Sequence, residues 1–443
     1  MNSSALPIPV ANYLKKYGMP GWTLETAAHK RFNNIVVIPA IQEYENLKRL
    51  FDSLLQMDKT FFGETLFVVV VNNRSDSSEE VKKDNERSIE FIRQVIGESK
   101  LNELAEKRLT AKLNLGLADA SSPGKELPEK DAGVGLARKI GMDLALNFFD
   151  YSNGKKKILI CLDADCTVEE NYLSAIVSSF NERQLSAGYV RYEHWMPNDE
   201  KERSAIICYE IFLRYYTLGL KYANSPFAFP TIGSTMVCDA DSYVKIGGMN
   251  KKKAAEDFYF LEKLAKITTI TGIETTKVYP SSRGSWRVPF GTGQRINRYF
   301  AGTHQEYILY DPLSFEILKR WINIFNGASI LSSEEYLGAA KSISDGLYEF
   351  LVQNSFDKDW NSILKGSKSK TQIQKQKIIW FDGFRTLKLI HFLRDFSFPQ
   401  TNMFDALDKI FSMMNYNVDT ARTESIPEVT DQLEYLYHLR KIT

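Results

Sequence analysis

The sequence has few cysteines, no long apolar run and almost no net charge, and each shortage excludes a class of protein. Its 443 residues contain four cysteines and no C-x-x-C pair, which argues against a disulfide scaffold and favours a reducing compartment. No stretch of about eighteen consecutive apolar residues occurs, so we expect no transmembrane segment, while peripheral membrane contact stays open. With 56 basic and 55 acidic residues the net charge is +1, and no overall basic field is available to bind nucleic acid.

The remaining composition is that of an ordinary globular protein, with 44% hydrophobic and 25% charged residues. A chain of this length predicts two to three domains of roughly 150 residues each. The first segment carries Lys15, Lys16 and Pro20 and lacks the apolar stretch of a signal peptide. We therefore expect a cytoplasmic protein.

Short β-rich runs alternate with helical patterns between about residues 34 and 277. Residues 35–38, 66–71 and 158–162 are apolar runs of strand length. Leu47, Leu50 and Leu54 then recur at helical spacing after the first run. This rhythm predicts an α/β fold in which helices cover both faces of a parallel sheet.

From about residue 311 the β-rich runs disappear and a helical region is expected. Its helical patterns cover residues 336–352, 378–396 and 403–414. Residues 366–377 are polar and basic, which is typical of a solvated connector. The predicted organisation is an N-terminal extension (1–33), an α/β domain (34–305) and a C-terminal helical region (306–443).

Asp163-Ala-Asp165 follows the run 158–162 directly, so two carboxylates lie where a strand leaves the sheet. Ligands of open α/β sheets bind at the carboxyl ends of the strands. Mg²⁺ and Mn²⁺ prefer oxygen ligands, commonly one or two carboxylates with substrate phosphates. The motif predicts a divalent-cation site, although aspartates also occur at strand ends for purely structural reasons.

Glu256-Asp257 opens another helical pattern and has two interpretations. Acidic residues in a first helical turn stabilise the free amides and the positive end of the helix dipole. Alternatively, Asp257 is a general base and Glu256 binds or positions groups beside it.

Several short motifs occur in an order that resembles family 2 of the glycosyltransferases with the GT-A fold. They are Pro39-Ala40 with Glu43, Asn72-Asn73, residues 135–141 with Arg138, Asp163-Ala-Asp165, Gly233-Ser234, Gly247-Gly248 and Glu256-Asp257. The resemblance covers residues 34–305, and its specificity comes from the order of individually weak motifs. It implies a Rossmann-like, mostly parallel mixed sheet flanked by helices, followed by the C-terminal helical region.

The resemblance also implies roles for these positions. Five residues would contact the nucleoside of a nucleotide-sugar donor, namely Pro39, Ala40, Glu43, Asn72 and Asn73. Arg138 would lie near the donor diphosphate, and Asp163 and Asp165 would bind Mn²⁺ or Mg²⁺ together with the donor. Asp257 would take the proton of the acceptor hydroxyl.

Two further residues come from the segment after residue 280. Arg287 lies in a run rich in arginine and glycine, a composition that suits a lid over a diphosphate. His304 is a candidate third metal ligand, because some GT-A enzymes complete the site with a histidine; a lone histidine is also a common structural residue. The Q-x-x-R-W signature of processive synthases is absent, so single transfers are expected.

The sequence thus predicts a metal-dependent glycosyltransferase of the hexosyltransferase class. It would transfer a sugar, with inversion expected and retention open, to a hydroxyl of an unidentified glycan, lipid or small molecule. One alternative is a sugar nucleotidyltransferase, whose glycine-rich loop should follow the first strand, where residues 39–43 contain no glycine. The other is a non-catalytic nucleotide-sugar or glycan-binding module, against which Asp165 and Asp257 argue.

Overall fold

The computed structural model describes residues 6–97, 113–285, 291–418, 422 and 424–443. The chain divides into two compact units. The first comprises Met1–Trp195 and Thr231–Gln294, and the second comprises Met196–Pro230 and Arg295–Thr443. This division differs from the expected boundaries at residues 33 and 305.

The first unit contains a mixed sheet to which the described residues contribute nine strands. These are β1 (Leu24–Glu25), β2 (Asn34–Ala40), β3 (Thr65–Asn72), β4 (Asn114–Ala120), β5 (Ile158–Cys161), β6 (Thr167–Val168), β7 (Ala187–Tyr192), β8 (Met236–Asp239) and β9 (Ile270–Tyr279). Their order is β1-β4-β3-β2-β5-β8-β7-β9-β6. Strands β4, β3, β2 and β5 are parallel neighbours, as are β7 and β9, whereas β1, β6 and β8 run antiparallel to theirs.

Helices flank this sheet: α1 (Ile8–Tyr17), α2 (Tyr44–Gln56), α3 (Glu79–Gly97), α4 (Val134–Ala145), α5 (Tyr172–Glu182), α7 (Ala240–Lys245) and α8 (Glu256–Ala265). All residues of β2 and β3 are buried, which explains their uninterrupted apolar sequences. Helix α2 turns Leu47, Leu50 and Leu54 into the core, as their spacing predicts. The predicted α/β class, with a mostly parallel mixed sheet and a helical C-terminal region, is confirmed.

Gly141 of helix α4 faces the sheet, and its lack of a side chain allows close packing. A β-carbon at Gly141 would overlap the side chains of Val37 on β2 and Val70 on β3. The absence of this atom lets the helix backbone approach both strands. The position of α4 relative to the strand ends is therefore fixed tightly.

Helix α1 is part of the first unit through a buried polar cluster. The hydroxyls of Tyr13 and Tyr243 each donate to Asp143 Oδ1 at 2.7 Å, and Lys139 Nζ lies 2.9 Å from Asp143 Oδ2. All four residues are buried. These contacts offset part of the cost of burying the Lys139–Asp143 ion pair, and they tie α1 to α4 and α7.

The second unit is helical, with a small two-stranded antiparallel sheet of β10 (Ile308–Leu309) and β11 (Thr401–Asn402). Its helices are α6 (Glu200–Tyr222), α9 (Thr292–Ala301), α10 (Pro312–Phe325), α11 (Ser333–Ile343), α12 (Asp345–Gln353), α13 (Phe356–Gly366), α14 (Lys370–Trp380), α15 (Gly383–Phe396), α16 (Met403–Met413) and α17 (Val429–Ile442). Helix α6 belongs here because Ile207, Ile211 and Leu218 are buried in this unit's core. No helix within the described ranges is long and apolar enough to cross a membrane.

Aromatic rings form the centre of the second unit. Trp321 stacks on Phe325 with ring centroids 4.9 Å apart, and Phe356 stacks on Trp360 at 6.1 Å. Tyr336 meets the Trp360 ring edge-on at 5.3 Å. Such offset and edge-on contacts add to the stabilisation that comes from burying the rings.

Two segments of this unit differ in detail from their sequence patterns. The pattern over residues 336–352 forms two helices, because Ser344 is extended and caps α12 by accepting a hydrogen bond from Gly346 N at 3.1 Å. The expected connector at 366–377 contains most of α14. Its Lys377 is buried and donates to the carbonyls of Gly327 and Ser329 at 2.9 and 2.8 Å, which satisfies the ammonium group.

Candidate active site

The predicted site residues of the first unit gather at the carboxyl ends of parallel strands. Pro39 and Ala40 end β2, Asn72 ends β3, and Asp163 follows β5 by two residues. Parallel strands end at the same edge of a sheet, so these positions share one edge, which is where α/β proteins bind ligands.

The amides of Asn72 and Asn73 belong to a buried hydrogen-bond network. Asn72 Nδ2 donates to Ala40 O at 3.0 Å, and Asn73 Oδ1 accepts from Asn85 Nδ2 at 2.9 Å. Asn85, on α3, also accepts from Gln42 N at 2.8 Å. The network holds the ends of β2 and β3 together, and Asn85 was missed because a single polar residue on a helix is a weak signal. Contact of Asn72, Asn73, Pro39 or Ala40 with a nucleoside stays a prediction.

Arg138 joins the two acidic motifs. Its side chain is 2% exposed, and one terminal nitrogen donates to Asp163 Oδ1 while the other donates to Glu256 Oε1. A β-carbon at Gly233 would overlap the guanidinium, so the Gly233-Ser234 motif provides the space that Arg138 occupies. The expected position beside a diphosphate stays a prediction, because in this structure the guanidinium binds the chain's own carboxylates.

Asp257 and Glu256 occupy the first turn of α8, which begins after Ala255 in a left-handed conformation. Burial and the neighbouring charge of Glu256 raise the pKa of Asp257 to about 7, against the opposing effect of Arg138. Burial also raises the pKa of Glu256. Asp257 Oδ1 accepts from Phe258 N at 2.7 Å. A carboxyl with a pKa near 7 can accept a proton at neutral pH more effectively than an ordinary aspartate.

Arg283 connects two other predicted donor residues. Its guanidinium donates to Glu43, at the N-terminus of α2, and lies 3.4 Å from Asp165 Oδ2. The sequence gives no signal for this contact. It follows from the antiparallel pairing of Thr167 with Tyr279 in the folded sheet, because β6 starts two residues after Asp165 and β9 ends four residues before Arg283.

A cavity of about 460 Å³ adjoins this contact. Its walls are Gln42, Glu43, Tyr44, Glu45, Asn46, Arg49, Asp84, Arg283, Gly284 and Ser285. Small-molecule sites commonly have volumes in this range and several convergent polar groups. The cavity is therefore the candidate ligand site at this edge of the sheet.

Asp163 and Asp165 suit a hard divalent cation by the chemistry of their oxygen donors. Within the described residues, no group of three or more His, Cys, Asp or Glu side chains is arranged to hold a metal ion. A cation here would need further ligands from diphosphate oxygens and water, which is the usual situation for Mg²⁺. The two carboxylates are compatible with that arrangement.

The remaining predicted residues lie elsewhere. His304 belongs to the second unit, is exposed, and has its Nδ1 atom 2.8 Å from Thr303 Oγ1. Its role as a metal ligand stays a prediction. Arg287 lies outside the described residues.

Comparisons with known proteins give weak similarities. No protein-family model matches the chain, and no curated protein matches it. Residues 1–349 of S. aureus TarS in complex with UDP-GlcNAc share 13% identity over 88% of this chain and 95% of that chain, with a TM-score of 0.38. Mannosyltransferase PcManGT from Pyrobaculum calidifontis, in complex with GDP-Man and Mn²⁺, shares 13% identity over 88% and 94%, with a TM-score of 0.37. Nothing about this chain's substrate follows from similarity at that level.

Proposed function

We propose that this protein is a cytoplasmic, metal-dependent glycosyltransferase that transfers a sugar from a nucleotide-sugar donor to an acceptor hydroxyl. The observation that carries the proposal is the bridge from Arg138 to Asp163 and Glu256. The buried guanidinium of Arg138 contacts both Asp163, which follows β5 and suits a cation, and Glu256 in the first turn of α8. Asp257, with its pKa raised to about 7, follows Glu256 directly.

In the proposed reaction the Asp257 carboxylate accepts the proton of the acceptor hydroxyl. The hydroxyl oxygen forms a bond to the anomeric carbon of the donor sugar. The bond from that carbon to the diphosphate oxygen breaks, and its electron pair leaves with the nucleoside diphosphate. Attack opposite the leaving group inverts the anomeric centre. The proposed class is that of the hexosyltransferases, so the sugar is a hexose, and one sugar is added in each encounter.

The other residues bind and orient the donor. Asp163 and Asp165 would hold Mn²⁺ or Mg²⁺, which when bound neutralises negative charge on the leaving diphosphate. Arg138 keeps the Asp163 carboxylate oriented. The nucleoside is assigned to the cavity beside Glu43, together with Pro39, Ala40, Asn72 and Asn73. Arg287 keeps its predicted role in binding the diphosphate.

The test is release of nucleoside diphosphate from a panel of nucleotide sugars in the presence of Mn²⁺. With the active donor, Asp257→Asn is expected to lower transfer at least about a hundredfold, because an amide cannot accept the proton. Affinity for the nucleoside diphosphate, measured by calorimetry, should stay within about threefold of wild type if only proton acceptance is lost.

Asp241→Asn is the matched control, since Asp241 is an exposed aspartate in the first turn of α7. It removes a charge of the same kind from a helix N-terminus and should leave transfer unchanged. Near-normal transfer by Asp257→Asn would refute the assignment of the base and make Glu256 the next candidate. Equal diphosphate affinity with Mn²⁺ and with EDTA would refute the metal assignment.

A further inference from the structure

Trp195 exposes a large aromatic surface whose orientation is fixed. Its side chain is 53% exposed, whereas the other tryptophans that the structure describes are buried or partly buried. Its Nε1 donates to Thr167 Oγ1 at 3.0 Å, and its backbone N donates to Pro280 O at 3.3 Å. Contacts at both ends of the residue hold the ring in one position.

The ring of Tyr279 packs beside that of Trp195, and we call the two residues the aromatic platform. The rings of Trp195 and Tyr279 have centroids 5.3 Å apart and planes inclined by 37°. The Tyr279 hydroxyl donates to Glu169 Oε1 at 2.9 Å, so the second ring is also held. A ligand that stacks on fixed rings causes little further loss of side-chain entropy.

Polar groups border the platform. Lys277, two residues before Tyr279, pairs with Glu193, two residues before Trp195, at 2.7 Å. A saccharide ring presents an apolar face of C–H groups and a rim of hydroxyls, so it can stack on an indole and bond to nearby polar groups. A lipid chain would instead need a continuous apolar surface. The surroundings of the platform therefore favour a saccharide.

The platform also lies close to the proposed donor site. Thr167, which holds the Trp195 ring, is two residues after Asp165, and two residues span at most about 7 Å. Arg283, four residues after Tyr279, lies 3.4 Å from Asp165 Oδ2. Two chain segments thus connect the platform to the same carboxylate.

We propose that the aromatic platform is an acceptor subsite, at which a ring of a saccharide acceptor stacks on Trp195. The saccharide chemistry follows from the platform itself. Its assignment as the acceptor rests on the proposed function.

The experiment uses the full chain on an array of defined oligosaccharides, with Mn²⁺ and either UDP or GDP present, followed by calorimetric titration of the best-bound oligosaccharide. Trp195→Ala is expected to weaken that affinity at least tenfold, and Trp195→Phe, which keeps a stacking ring, to stay within threefold. Tyr437→Ala is the matched control, because Tyr437 is 54% exposed and lies on α17 of the second unit. It should bind as wild type does.

With an active donor, Trp195→Ala should raise the acceptor KM at least tenfold, whereas Trp195→Phe should keep it within about threefold of wild type. The proposal is overturned if Trp195→Ala binds the oligosaccharide as tightly as wild type does. It is also overturned if the wild-type protein binds no oligosaccharide, even if it binds phospholipid vesicles. If no nucleotide sugar is cleaved but Trp195→Ala still abolishes oligosaccharide binding, the saccharide site stands and the proposed function fails.

Discussion

The first unit buries the guanidinium of Arg138 between two carboxylates near a strand end, whereas the centre of the second unit is a cluster of aromatic rings. Arg138, Lys139, Asp143 and Glu256 are all nearly inaccessible in the first unit. In the second unit Trp321 and Trp360 are fully buried and surrounded by other rings. The two kinds of burial contribute differently to stability.

Burying aromatic surface is favourable in itself, at roughly 25 cal/mol for each Å² of apolar area. Burying a charge is unfavourable unless a partner compensates for lost hydration, and replacing a whole buried ion pair by apolar groups is often neutral or stabilising. Stability therefore explains the aromatic cluster but does not explain the arrangement around Arg138. Buried charge does not by itself indicate a chemical role, because the second unit also buries Glu210, which pairs with Arg214 and Arg440.

The largest expected effect on stability is that of Trp360→Ala in the aromatic cluster. The substitution removes the stacking with Phe356 and leaves a cavity, and it should lower the free energy of unfolding by about 4 kcal/mol. Urea denaturation followed by circular dichroism measures this change. Trp360→Phe should cost less than half as much, and equal losses for the two variants would show that ring burial is not the cause.

Arg138→Met should have the next largest effect. It leaves Asp163 and Glu256 without their shared partner and should lower the free energy of unfolding by about 3 kcal/mol at pH 8. The loss should be smaller at pH 5, where Glu256 can take up a proton. Urea denaturation in EDTA at both pH values measures it.

Arg138→Lys is the companion variant, since it keeps the charge and loses the forked geometry that reaches both carboxylates. It should retain part of the stability. A loss of under about 1 kcal/mol for Arg138→Met at pH 8 would mean that the bridge does not compensate the buried carboxylates.

The smallest effect concerns pH and Asp257. Its folded-state pKa is raised to about 7, so the folded protein binds this proton more tightly than the unfolded chain does. The associated stability is fully present below the ordinary aspartate pKa and is lost as pH rises through about 7. Asp257→Asn lacks this titration, so in EDTA its stability relative to wild type should increase by at least about 1 kcal/mol from pH 5 to pH 8. Parallel pH profiles for the two proteins would contradict the raised pKa.

The central strands, and the positions of the polar residues at their ends, could be predicted from the sequence. Strands β2, β3 and β5 are continuous apolar runs, which a buried parallel strand requires, and Asp163 follows the end of β5. Whether a ligand binds at this edge of the sheet stays a prediction. The bridge through Arg138 could not be predicted. It depends on the approach of three chain segments, which local periodicity does not encode.

The same limit explains the differences in the helical region. The pattern of α6 shows which of its residues are buried but not which unit buries them, so Met196–Pro230 was not separated from the α/β domain. The low content of apolar side chains in residues 366–377 predicts a solvated connector, whereas most of this segment is helical. Lysine and glutamine are good helix formers, and the ammonium of Lys377 is buried against carbonyls that only the fold brings near.

The close approach of α4 to the sheet limits how this sequence can change over evolutionary time. Gly141 lacks a β-carbon where Val37 and Val70 fill the space, so enlarging position 141 alone forces the helix away from the strands. Because Arg138 lies one turn earlier on the same helix, such a shift would also displace the guanidinium from its carboxylates. Larger residues at 141 should therefore arise only after position 37 or 70 has become smaller, which makes the three positions an ordered, mutually dependent set.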